Sequence, residues 1–147
     1  MPRSHHVVIL AAAATLLLGA TACATARATY EGPVIVLPNS YYVRPDQGNQ
    51  SKIVKRNGSP LLPGHIAAYA VSGDIVAGAL GDAPAWGPLY TNDRPFDGTA
   101  DTRYFILDTS TGKLETGLDK AAWQARLMQL GVPGDFRIYP VPPWQQQ

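Results

Sequence analysis

The stretch "HIAAYAVSGDIVAGAL", His65 to Leu80, decides the fold. Two apolar runs, 65–71 and 74–80, flank Ser72-Gly73. Glycine tolerates the positive φ that tight turns need, so the pair predicts a hairpin. Both runs are apolar at odd and even positions alike. A strand with one wet face alternates, whereas a strand apolar throughout is covered on both faces. The hairpin is therefore expected at the centre of a sheet, and the rest of the chain must supply two covers.

Outward from this centre, "YFILDTSTGKLET" at 104–116 predicts a second hairpin. Asp108 to Gly112 forms its turn, because Asp and Ser/Thr side chains bond their own backbone and Gly112 takes the left-handed position. A helix follows. Asp119 is its N-cap, and Leu118 and Trp123 are spaced as a hydrophobic staple. Trp123, Leu127 and Leu130 make one apolar stripe, and Gly131 then Pro133 stop the helix. "DFRIYPV" at 135–141 reads as a last strand, with Pro140 favouring an edge position. Before the central hairpin, Val34–Leu37, 40–44 and "KIVK" at 52–55 read as short strands, the last ending at the turn pair Asn57-Gly58. The expectation is an α+β fold: a mostly antiparallel sheet of about five to six strands, with one helix from the C-terminal half packed on one face.

The segment 81–102 has no period of its own and carries Pro84, Pro88 and Pro95 with Trp86, Tyr90 and Phe96 between them. Long structureless connections inside a domain are uncommon and often functional. One reading is a binding loop that displays the three aromatics. The other is a lid that covers the sheet face the helix leaves open, a cover the two-sided apolar strands require.

The N-terminus has the build of an export signal. Arg3 lies in a short leading segment, Val7–Ala20 is uninterrupted and apolar, and small residues follow. "Ala20-Thr21-Ala22" ahead of Cys23 resembles a bacterial lipobox, with Ala20 where that pattern favours Leu. Cleavage there makes Cys23 the lipid-bearing first residue. "Ala26-Arg27-Ala28" offers an ordinary signal-peptidase site that releases a soluble chain, and an uncleaved anchor is the third reading. A lone cysteine just behind the apolar run favours the lipid. The organisation read from this is a signal peptide at 1–22, a lipidated N-terminus and linker at 23–31, one α+β domain at 32–142 and a polar tail at 143–147.

Composition excludes several function classes. With 46% hydrophobic and 16% charged residues, the 147-residue chain is not a disordered one. A net charge of +1 argues against nucleic acid as a partner. Past Cys23 there is no cysteine, so the mature domain has no disulfide and no thiol nucleophile. Past the leader there is one histidine, His65, and no Gly-x-Ser-x-Gly setting for a serine nucleophile. Asp93, Asp97 and Asp101 resemble a calcium loop only loosely, since Pro95 and Tyr104 stand where ligands belong. No metal site and no cofactor is expected. Asp74, Asp108 and His65 are the candidates if the chain is a small enzyme.

The strand pair at 65–80, the "YFILDTSTG" hairpin at 104–112 and the "GLDKAAW" helix start at 117–123 resemble a family of small uncharacterised bacterial lipoproteins and secreted proteins, over roughly residues 53 to 132. The resemblance implies an envelope location and this fold, and no activity. The function expected is a non-enzymatic, periplasm-facing envelope lipoprotein. Its partners are the membrane, through the lipid on Cys23, and another protein. Alternatives are a soluble periplasmic protein of the inhibitor or immunity type, and a small periplasmic enzyme using carboxylates.

Overall fold

The computed structural model describes residues 34–47, 50–82 and 94–142. At its centre the expected hairpin is present, as β4 (Ile66–Ser72) and β5 (Ile75–Leu80). Ser72 pairs with Ile75, so the loop is Gly73-Asp74, one residue beyond the expected turn. Gly73 has φ +58°, the first-position conformation of a two-residue hairpin loop. The second hairpin is β6 (Arg103–Asp108) and β7 (Lys113–Leu118), and a two-residue β8 (Tyr139–Pro140) closes the sheet. The order β7-β6-β5-β4-β8 puts β5 in the middle and Pro140 on an edge strand, as its missing N–H requires.

The N-terminal strands do not join this sheet. β1 (Ile35–Leu37), β2 (Tyr41–Pro45) and β3 (Ser51–Lys55) form their own antiparallel sheet of three. The α+β class therefore stands, with one α-helix among the described residues, whose eight strands divide into two sheets where one was expected. The reason lies in side-chain parity. Leu37, Val43 and Ile53 point to one side and are buried, and they pack with Ile66, Val76, Phe105 and Leu107 of the larger sheet. The small sheet is thus the second cover that the central strands need. Burying a side chain of this size contributes roughly 1.5–3 kcal/mol.

The other face of the larger sheet carries Ala68, Ala77, Ala79, Tyr104 and Ile106. Helix α1 (Lys120–Gln129) covers it with Trp123 and Leu127. The small alanines leave room for the indole, which stacks on Tyr104 at 4.9 Å and donates from Nε1 to the Phe105 carbonyl at 3.1 Å. The caps follow the sequence. Asp119 accepts from the Ala122 N–H at 2.8 Å. At the far end, Gly131 N–H bonds the Met128 carbonyl and Val132 N–H the Leu127 carbonyl, both at 3.0 Å, with Gly131 at φ +75°.

Two bulges set which residues face which cover. The β4–β5 register slips between Ile66 and Ala68, so Ile66 faces the small sheet and Ala68 the helix although they lie two apart. The extra residue, Ala67, gives its carbonyl to the Val141 N–H at 3.1 Å. A second slip lies opposite Tyr104–Ile106, with Gly117 at φ +73°, and it turns Leu118 from the Leu114 face to the helix face.

Candidate functional site

Cys23, Trp86 and Tyr90 lie outside the described residues, as do the signal-peptide and tail segments of the expected organisation. Phe96 is described. It is half-buried, packs on the helix-side core, and its N–H donates to the Ile138 carbonyl at 2.8 Å. Phe96 is thus not displayed, and it lies on the helix side of the sheet, not on the face the helix leaves open, which the small sheet covers.

The candidate polar residues fall into two groups at opposite ends of the larger sheet. At one end lie the loops after β4 and β6, with Asp74 and Asp108. Asp108 caps its own turn: its Oδ1 accepts from the Ser110 N–H at 3.0 Å, the Ser110 hydroxyl at 2.6 Å and the Thr111 N–H at 3.2 Å. The Ser110 hydroxyl is the main reason its carboxyl lies below the usual carboxylate value. Asp74 belongs to a strut. The Asn39 amide donates to Asp74 Oδ1 at 3.1 Å and to Thr109 Oγ1 at 2.8 Å, and the Thr109 hydroxyl donates to the Asp74 carbonyl at 2.8 Å.

Asn39 reaches there because the β1–β2 connection is a tight turn. Tyr41 N–H bonds the Pro38 carbonyl, and Asn39 and Ser40 both have positive φ, 55° and 63°. That is a type I′ geometry, which favours Asn then Gly; serine at the second place is strained. The strut ties three loops together, one from the small sheet and two from the large. Reading 40–44 as strand missed it, since the Asn-Ser pair lacks the glycine that marks such turns.

At the other end His65 sits just before β4. Its Nε2 lies 3.1 Å from Asp46 Oδ2 and its Nδ1 3.7 Å from Asp82 Oδ1. Lys52 Nζ lies 2.9 Å from Asp46 Oδ1. The Lys52 contact is the chief reason the Asp46 carboxyl is held below its ordinary value, with His65 adding to it. The β4 strand spans roughly 20 Å at the usual rise per residue, so His65 and Asp74 do not share a site. A general acid–base pair needs both groups within reach of one substrate. Among the described residues, no group of three or more His, Cys, Asp or Glu is placed to hold a metal ion. Asp97 instead forms an exposed ion pair with Lys120, at 3.4 Å.

Two surfaces remain. β7 is an edge strand of six residues that, among the described residues, pairs with β6 alone. Its Glu115 faces the helix side and takes Arg126 Nε at 2.9 and 3.2 Å. Partial burial pushes the Glu115 carboxyl up, but Arg126 and Lys113 outweigh this and leave it lowered. The outer face of the small sheet is the other surface, with Val36 71% exposed beside Tyr42. Among the described residues no helix is long and apolar enough to cross a membrane. Compared with protein-family models, with curated proteins and with solved structures, the chain matches none of them.

Proposed function

We propose that the chain is a lipid-anchored protein of a bacterial cell envelope, held through Cys23, and that it works by binding another protein at the β7 edge of its larger sheet. The observation that carries the binding role is that edge: six residues whose outer backbone groups pair with no strand among the described residues. An extended partner segment adds to such an edge through main-chain hydrogen bonds. The separation of His65 from Asp74 and Asp108 supports binding over catalysis, since each is taken up in a local polar contact at its own end of the sheet. The lipid anchor is supported by the sequence alone, by an apolar leader ending in small residues with one cysteine behind it.

The test is a photo-crosslinking residue placed at Thr116 on β7, and in a separate chain at Asp135, both exposed. In the native envelope the Thr116 probe is expected to trap a discrete protein adduct and the Asp135 probe none. Absence of any protein adduct at Thr116 contradicts the proposal.

A further inference from the structure

The outer face of the small sheet differs from the rest of the surface in both charge and polarity. Val36, Tyr42 and Val54 form one cross-strand row, exposed at Val36, half-buried at Tyr42 and closed over at Val54, which is 3% exposed; Arg44 and Lys52 pair in the next, with Lys52 beside Asp46. Val34, two residues before Val36, takes the same side by strand alternation and is 43% exposed. The Arg44 guanidinium reaches within 3.8 Å of where a Cβ on Gly58 would sit, so its stem runs along this face. Residues 34–62 carry four cations, Arg44, Lys52, Lys55 and Arg56, against one acid, Asp46. Residues 63–142 carry six cations against nine acids. The chain is near neutral as a whole but polarised between its two sheets.

The geometry points to this face as the surface that lies on an anionic lipid bilayer. The inference rests on the anchored reading of Cys23, which lies eleven residues before Val34 in the sequence. Eleven residues span at most about 40 Å, so a lipid on Cys23 keeps β1 near the bilayer. The chemistry of the face fits that neighbour. Cations seat among lipid phosphates, a tyrosine ring suits the interface between headgroup and acyl chain, and exposed valines gain from shallow burial. The face is small: three strands and about four residues of length cover roughly 200 Å². A stable protein–protein interface needs about 800 Å² per partner with a charge-depleted centre, which this face does not offer. Among the described residues, the other large apolar side chains that are exposed, Val71, Met128 and Tyr139, lie on separate elements.

The experiment uses the mature chain reconstituted in vesicles of phosphatidylethanolamine and phosphatidylglycerol. Acylated Cys23 holds its sulfur in a thioether, so a Val36→Cys or Met128→Cys substitution supplies the only thiol for a nitroxide label. Both sites are exposed, 71% and 66%, so neither change disturbs the core. The Val36 label is expected to collide with oxygen, which concentrates in lipid, and to be shielded from a water-soluble nickel chelate. The Met128 label is expected to show the reverse. A Val36 label as open to the chelate as the Met128 label, in a chain whose mass confirms acyl groups, overturns the proposal. Shielding of the Val36 label from both reagents places protein on the face and also overturns it. If the mass shows no acyl groups, the anchor reading fails, and the same chain is added to the vesicles from solution. Partition that falls about fivefold for each of Arg44→Gln, Lys52→Gln and Arg56→Gln then upholds the face. No partition overturns it.

Discussion

Replacing Gly78 by alanine sets local preference against packing, and the two disagree in sign. Gly78 lies within β5, where a glycine costs about 0.5–1 kcal/mol relative to alanine through lost backbone freedom. On that ground alone Gly78→Ala stabilises. The structure says otherwise. A Cβ at Gly78 collides with the Ala68 carbonyl oxygen of β4 and comes within 2.7 and 2.9 Å of two ring carbons of Phe105, its cross-strand partner. The ring is fully buried between the sheets and the carbonyl is backbone beside the β4 bulge, so neither can yield without moving a strand. Overpacking of this kind costs about 1–3 kcal/mol, and the upper end applies where backbone must shift. The net expectation is a loss of about 2 kcal/mol, or roughly 8 °C in Tm at about 4 °C per kcal/mol for a domain of this size. Urea unfolding followed by tryptophan fluorescence, to which buried Trp123 contributes, measures it. Gly64→Ala is the control, because no heavy atom lies within 4 Å of its Cβ position; it is expected to gain about 0.5 kcal/mol. Equal or higher stability of Gly78→Ala, with an unchanged dependence on urea, refutes the packing described between β4, β5 and β6.

Ser40→Gly relieves a left-handed serine in the β1–β2 turn and is expected to raise stability by up to about 1 kcal/mol, read as a shift of the urea midpoint. Asp119→Ala removes the cap of α1 and is expected to cost about 1 kcal/mol, measured the same way. Asp46 and Glu115 both titrate below their ordinary values of 3.8 and 4.5 in the folded chain, so each adds stability at neutral pH. That contribution is lost as pH falls through the ordinary value and then the lower folded one. Glu115→Gln is therefore expected to flatten the loss of stability as pH falls through 4.5 and then the lower folded value, by no more than about 1 kcal/mol for a partly exposed pair. An acid profile identical to the wild type means that the Arg126 contact contributes nothing to stability.

The sequence made legible whatever local chemistry determines. The Asp119 cap, the Gly131 stop, the Asp108 turn and the edge position of Pro140 each follow from what one or two side chains do to their own backbone. The central place of β4 and β5 followed from their two-sided apolarity. What covers their second face did not, because β1, β2 and β3 read as strands without saying which sheet they enter. The bulges at Ala67 and Gly117 were also hidden. Period-two counting puts Ile66 and Ala68 on one face, and an inserted residue separates them. The Asn39 strut depends on a type I′ turn without its usual glycine and on loops 35 and 70 residues away. Of the candidate loop aromatics, Phe96 lies in the core cover, a placement set by its contacts with the C-terminal segment and invisible in its neighbours.

The anchored reading underlies both the envelope location and the membrane-facing sheet, and intact-mass measurement of the chain extracted from its native envelope tests it most directly. The account predicts a chain beginning at Cys23 whose mass exceeds that of residues 23–147 by a diacylglyceryl group, with or without a further acyl chain, and whose Cys23→Ser variant carries no such addition. A mass matching residues 29–147, or a chain from Cys23 with a free thiol, contradicts it.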